Sequence, residues 1–215
     1  MTDDTGTTRW DRFNHLKGLA SLANRYVLLR HGWSEANERR LIASDLANAR
    51  DRFGLTPRGR REVETSVARA RPPLGPDTVI CSSPFLRTRE SAEIASCILG
   101  AAPPLYEERL RERFCGTLEL AGAESYRRIW ERDAADPAHT SWGVESVCAV
   151  LERTTRLIRD LEARHAGRIV LLVTHCDPAM ILMCGWRGVD LRAHFREDPI
   201  RTGELRALEG GGAGG

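Results

Sequence analysis

The chain has 215 residues, 41% of them hydrophobic, with 32 Lys plus Arg against 30 Asp plus Glu and a net charge of +2. That length supports one sizeable α/β core without requiring a second. The near-balanced charge gives no reason to expect nucleic acid or a membrane as partner, and no stretch approaches the length of a membrane-spanning helix. Lys17 is the only lysine, so the positive charge is carried by arginines, whose planar forks suit anions. Cys81, Cys97, Cys115, Cys148, Cys176 and Cys184 show no CxxC spacing and read as free thiols. With no basic-then-apolar leader at the N-terminus, the expected location is cytoplasmic.

In chain order, residues 1–8 are small, polar and acidic and are expected to be disordered. Trp10 to Ala23 has the spacing of a short amphipathic helix. Arg25 to Leu29 reads as the first strand, followed by a short helix over Ser34–Arg40 and an irregular stretch to Phe53. Thr56 and Pro57 form a cap-and-proline start for a helix towards Ala70, and Pro72, Pro73, Gly75 and Pro76 end it. Thr78–Cys81 is a second strand, and Ser83-Pro84 opens a helix over Phe85–Leu99. Leu105–Leu110 reads as a strand, residues 117–142 as a polar, lid-like insertion, and Ser146–His165 as a long amphipathic helix. Ile169–Val173 is a further core strand, Pro178–Cys184 a helix and Leu205–Leu208 an edge strand. Alternating strands and helices predict a three-layer α/β/α sandwich with a mostly parallel central sheet. The expected organisation is an N-terminal extension over 1–24, partly disordered, one domain over 25–208, and a flexible Gly-rich tail over 209–215.

Two of the apolar runs end in a histidine, in Arg30-His31-Gly32 and in Thr174-His175. Parallel α/β sheets bind ligands at the C-terminal ends of their strands, so the two imidazoles are expected to meet there. Arginine beside the first imidazole points to an anion, and most naturally to a phosphate.

Five segments in order resemble the motifs of the histidine phosphatase (phosphoglycerate mutase-like) superfamily. Arg30-His31-Gly32-Trp33-Ser34-Glu35-Ala36-Asn37 is similar to its RHGxSxxN opening, and Leu55-Thr56-Pro57-Arg58-Gly59 to its LTxxG helix start. Ser82-Ser83-Pro84-Phe85-Leu86-Arg87 resembles its SSPxxR turn, residues 109–116 its acid-bearing segment, and Val173-Thr174-His175 its second histidine. The resemblance spans roughly residues 25–208 and implies a phosphoglycerate mutase-like fold.

The resemblance implies His31 as the phosphoryl-accepting nucleophile, with Arg30 and Arg87 forked onto the phosphoryl oxygens. His175 would donate to the same oxygens, protonated beside the dianion, and Glu112 would give and take the proton of the leaving group. Ser34 and Asn37 would trim the position of the phosphoryl group, though they stand nearly as well as caps of the next helix. Alone, Glu112 between Arg111 and Arg113 reads as a solvated charge run, and each histidine as a bonded structural group. No metal and no cofactor are expected, because His175-Cys176-Asp177 has no second Cys/His pair at ligand spacing. Cys176 replaces a glycine common after the second histidine. Cys115 and Ala123 stand where the mutase branch carries tyrosine and lysine, which favours a phosphatase. Trp33, Arg113, Tyr126, Arg127, Arg128 and Trp142 are candidates to line the lid.

The expected activity is hydrolysis of a small-molecule phosphomonoester through a phosphohistidine. The alternatives are a phosphoglycerate-type mutase or a catalytically weak regulatory protein that binds phosphorylated ligands. The oligomeric state is left open, a homodimer included.

Overall fold

Each core strand is a short apolar run that ends in a polar residue, and the site is assembled from those ends. The computed structural model describes residues 10–17, 19, 21–71, 73–196 and 198–209. Strands β1 (Arg25–Arg30), β2 (Val79–Ser82), β3 (Leu105–Tyr106) and β4 (Ile169–Thr174) are parallel, and β5 (Leu205–Ala207) runs antiparallel to β1. They form one sheet in the order β3-β2-β4-β1-β5. Around it lie α1 (Glu35–Glu38), α2 (Leu46–Ala49), α3 (Pro57–Ala68), α4 (Leu86–Leu99), α5 (Tyr126–Ala135), α6 (Val147–Arg164) and α7 (Cys176–Arg187).

Side chains alternate between the two faces along each strand. Tyr26 and Leu28 of β1, with Val170 and Leu172 of β4, pack against Leu157, Ile158 and Leu161 of α6 and Met180 and Met183 of α7. Val27, Leu29, Leu171 and Val173 face the other way, against Val63 and Val67 of α3 and Ala92 and Ala95 of α4. Leu28 and Leu29 are fully buried, which contributes about 1.5–3 kcal/mol each. Helices cover both faces, which gives the three-layer sandwich and explains why β1 and β4 are continuous apolar runs. No helix among the described residues is long and apolar enough to cross a membrane.

The start of α3 is also a clamp on the loop after β1. Thr56 Oγ1 caps the helix by accepting the Gly59 N–H at 3.2 Å, with Pro57 in the first turn. The same hydroxyl donates to the Trp33 carbonyl at 3.0 Å, and the Thr56 N–H does likewise. Backbones touch here: a Cβ on Gly32 would collide with the Gly59 carbonyl, and one on Gly59 with the Trp33 backbone. Both motif glycines are therefore required by close approach.

Several elements differ from their sequence expectation. Among the described residues of Trp10–Ala23 only a 3-10 turn, Asp11–Phe13, forms, while residues 18 and 20 lie outside them. Helical bonding stops because side chains take the next N–H groups, that of Leu16 going to Asn14 Oδ1 at 3.1 Å. Asn14 Nδ2 donates to the Gly185 carbonyl at 2.8 Å, and the His15 N–H goes to Thr155 Oγ1 at 3.1 Å. Trp10 is buried against α6 and α7, so this part of the extension packs on the core. Residues 1–8 and most of the tail, 210–215, lie outside the described residues.

The expected strand Leu105–Leu110 stops at Tyr106. The Glu107 carboxylate accepts the Arg109 N–H and turns the chain into a 3-10 segment, Glu108–Leu110. Helix α7 starts at Cys176, two residues before Pro178, which is tolerated in the first turn because no N–H is needed there. The stretch to Phe53 contains α2, capped by Asp45.

Replacing Gly59 by Ala forces the loop after β1 to move and should cost roughly 1–3 kcal/mol by overpacking. Gly75, whose added Cβ meets nothing within 4 Å, is the control and should change stability by about 0.5 kcal/mol or less as Ala. Urea unfolding of both variants gives the comparison.

Candidate active site

The two histidines meet because of strand register. Arg30 pairs with Thr174 across β1 and β4, so the next residue of each chain leaves the sheet beside the other. The His31 N–H is held by the Thr174 carbonyl at 3.0 Å, and the two rings lie edge to face with centroids 5.2 Å apart. On the other side of β4, Ser82 pairs with Val173, which delivers Ser83 next to His175.

The hydrogen bonds settle which ring nitrogen is bare. A backbone carbonyl can only accept, so His31 Nδ1–H donates to the Gly32 oxygen at 2.8 Å and Nε2 keeps its lone pair. That lone pair takes the Arg87 Nε–H at 3.2 Å. A second Arg87 nitrogen donates to His175 Nδ1 at 3.0 Å and to the Ala43 carbonyl at 2.9 Å. His175 therefore carries its proton on Nε2, which donates to Ser83 Oγ at 2.8 Å. Burial first, then the Arg87 charge, holds both imidazoles well below the ordinary 6.5. The positive His175 expected beside a bound dianion is thus not the state of the free protein.

Glu112 completes the group from a segment tied down at both ends. Thr174 Oγ1 donates to the Leu110 carbonyl at 2.7 Å, and Arg153 donates to the Arg109 carbonyl at 2.5 Å. The Arg113 N–H binds Glu112 Oε1 at 2.9 Å, while Oε2 lies 3.8 Å from His175 Nδ1. Burial, and then the nearby Asp177 carboxylate, push the Glu112 carboxyl up to about 7, against the pull of Arg87 and Arg30. Neutral carboxyl is thus available near neutral pH.

A cavity of ≈ 410 Å³ has Arg30, His31, Ser34, Asn37, Arg87 and Glu112 among its lining, whereas His175 is fully buried and reaches it only through Arg87. Arg30 Nη1 donates to the Ile200 carbonyl at 2.9 Å. Among the described residues, Arg30 Nε and Arg87 Nη1 are buried without an acceptor. Unsatisfied guanidinium donors at one cavity wall fit an anion. Ser34 and Asn37 form a reciprocal cap: Ser34 Oγ donates to Asn37 Oδ1 at 2.9 Å and accepts the Asn37 N–H. This leaves the Asn37 amide nitrogen as its remaining donor. Among the described residues no group of three His, Cys, Asp or Glu side chains is placed to hold a metal ion.

Some sequence candidates are placed elsewhere. Trp33 and Tyr126 line the cavity, as does Ala123, but Arg127, Arg128 and Trp142 do not. Arg127 pairs with Glu131, and Arg128 sits over the Trp142 ring. Arg113 is fully buried and points under the lid, with two bonds of 2.7 Å to Asp133. Cys176 borders the cavity, but burial pushes its thiol up to about 11, which keeps it protonated. Cys115 is buried outside the cavity.

Sequence reasoning missed Ser83, Asp177 and Trp130. Ser83 was visible as the second serine of the SSP turn, and Asp177 as an acid two residues beyond His175. The indole N–H of Trp130 donates to Asp177 at 3.3 Å, a contact across 47 positions that no local pattern announces.

The histidine phosphatase superfamily (branch 1) model matches residues 26–214, and the chain belongs to that family. No curated protein sequence matches it. Solved structures do. Bacillus stearothermophilus YhfR is 25% identical with a TM-score of 0.70, over 86% of this chain and 90% of that one. A mycobacterial glucosyl-3-phosphoglycerate phosphatase, solved with VO3, is 21% identical with a TM-score of 0.70, over 85% and 91%. A mutant phosphoserine phosphatase from Entamoeba histolytica, in complex with phosphoserine, is 17% identical with a TM-score of 0.69, over 86% and 89%.

The raised Glu112 value has a thermodynamic consequence. Its folded value lies above the ordinary 4.5, so the unfolded chain releases this proton first and stability falls as pH rises from about 4.5 to 7. Subtracting the pH–stability curve of Glu112→Gln from that of the wild type isolates this contribution from the opposite slope of the buried histidines. The difference should decline over that window and be flat above it. Asp177→Asn should move the Glu112 midpoint, read by carbon NMR, downwards.

Proposed function

We propose that the chain is a metal-independent phosphomonoesterase that works through a phosphohistidine on His31. The observation that carries this reading is the bare Nε2 of a neutral His31, one Arg87 length from a second imidazole and beside a carboxyl pushed up to about 7. On entry of a phosphate dianion, the Arg87 donors transfer from the imidazole lone pairs to the phosphoryl oxygens, joined by Arg30 and the Asn37 amide. His31 Nε2 then attacks phosphorus as the bond to the leaving oxygen breaks, and Glu112 Oε2–H protonates that oxygen. The Gly32 carbonyl stabilises the positive imidazole through Nδ1–H. His175 Nδ1 supplies a further donor once the dianion draws a proton to it. In the second half, Glu112 as carboxylate takes a proton from water, which attacks the phosphohistidine and releases phosphate.

Charge neutralisation by arginines and imidazoles takes the place of a cation in this scheme. Ala123 on the cavity wall, where the mutase branch carries lysine, supports hydrolysis over isomerisation. A proton donor inside the cavity supports an enzyme over a ligand-binding module. A small phosphorylated metabolite is the proposed substrate, in line with what the named phosphatase neighbours act on. A cytoplasmic location belongs to the same proposal, supported by the free state of all the cysteines.

The test is phosphate release from a panel of phosphomonoesters after exhaustive EDTA treatment, with isomerised product scored in parallel. Phosphate release should persist and, from 3-phosphoglycerate, exceed formation of 2-phosphoglycerate. Glu112→Gln should slow alkyl esters on the order of 10²–10⁴-fold and p-nitrophenyl phosphate far less, because phenolate leaves without a proton. Activity restored only by added metal, or efficient interconversion, would overturn the assignment.

A further inference from the structure

Beyond the phosphate-facing residues the cavity changes character. The apolar and aromatic wall of its lining is formed by Trp33, Leu41, Ala123, Tyr126, Trp130 and Pro199. The hydrogen-bonding side-chain groups there, among the described residues, are the Arg40 guanidinium, the Trp33 indole, the Tyr126 hydroxyl and the Cys176 thiol. The Trp130 indole N–H is already taken by Asp177. Among the described residues, the one carboxylate and the one carboxamide of the lining are Glu112 and Asn37, which the phosphatase reading assigns to the leaving oxygen and the phosphoryl group.

The aromatic part of the wall is stiff. Tyr126 and Trp130 stack with centroids 5.6 Å apart and planes at 22°, and Trp130 is backed by Phe195 at 6.1 Å and 2°. Phe195 does not line the cavity, so the stack presents Tyr126 and Trp130 to it. Beneath them, Ile129 is fully buried among Ile42, Cys115, Leu118 and Val144, and Asp133 is held by Arg113. The rings are thus fixed before anything binds, and little side-chain entropy remains to be lost.

We propose that this wall is the leaving-group subsite and that it selects phosphomonoesters whose alcohol carries a planar aromatic ring over polyhydroxylated sugar phosphates. The proposal rests on the phosphatase reading and names the substrate class of that site. An aromatic alcohol gains ring contact with Tyr126 and apolar contact with Trp130, whose faces are already taken by Tyr126 and Phe195. A sugar placed there gives up water at each hydroxyl and finds few partners in return.

The experiment compares 2-phenylethyl phosphate with glucose 6-phosphate, two esters of primary alcohols that ask alike for a proton donor. Wild type should favour the phenylethyl ester by about tenfold or more in kcat/KM, chiefly through a lower KM. Tyr126→Leu should cut that ratio several-fold, and Tyr126→Phe, which keeps the ring, should retain it. A ratio near one, a preference for the sugar ester, or a ratio unmoved by Tyr126→Leu would overturn the proposal. Calorimetry of the same two esters on His31→Ala gives an answer that needs no turnover. Tighter binding of the aromatic ester without phosphate release by wild type would uphold the subsite and defeat the phosphatase reading. Phosphate release with the sugar preferred would do the reverse.

Discussion

The organisation of this molecule depends on one guanidinium. Arg87 lies in the first turn of α4, almost fully buried, and spans the bare nitrogens of His31 and His175 at 3.2 and 3.0 Å. A buried cation there is tolerable because two imidazole lone pairs and the Ala43 carbonyl accept its N–H groups. Burial and, after it, the same charge hold both imidazoles neutral, which is the state a nucleophile needs. In the proposed reaction an anion entering the cavity competes for Arg87, and in winning it uncovers His31. Binding and activation of the nucleophile are then one event.

The rest of the fold fixes the groups around that cation. Parallel pairing of β1 with β4 sets the two histidines side by side, and the Gly32–Gly59 contact leaves the loop after His31 no room to shift. Under α5, Arg113 and Asp133 form a fully buried ion pair that also takes the His139 Nε2–H at 2.8 Å. This network pins α5 from below, so Tyr126 and Trp130 are held by the same residues that shape the backbone after Glu112. Arg113 and Glu112 are adjacent in sequence yet serve opposite sides of the wall.

Much of this was legible in the residues. Apolar runs ending in His31 and His175 revealed the strands, their parallel pairing and the edge where the site lies, because strand period and burial are local properties. Pro57 and Pro84 marked helix starts for the same reason. What escaped was set by distant partners. Leu105–Leu110 has strand composition, but a Glu107 side chain captures the Arg109 N–H and breaks the run. Trp10–Ala23 has helical spacing, but Thr155 and the Asn14 side chain take the His15 and Leu16 N–H groups. Arg113 looked like a lid residue because its charge implies exposure, whereas Asp133, twenty positions on, buries it. Ser34 and Asn37 form the mutual cap that one of their two readings expected, and both border the cavity.

The central claim is covalent, so the direct measurement is chemical. Wild-type protein mixed with a radiolabelled phosphomonoester, quenched within milliseconds and digested, should yield one peptide bearing an acid-labile, base-stable phosphoryl group on His31. His31→Ala should yield none and lose turnover. A label on Ser34, Ser82 or Cys176, or full turnover by His31→Ala, would contradict the account.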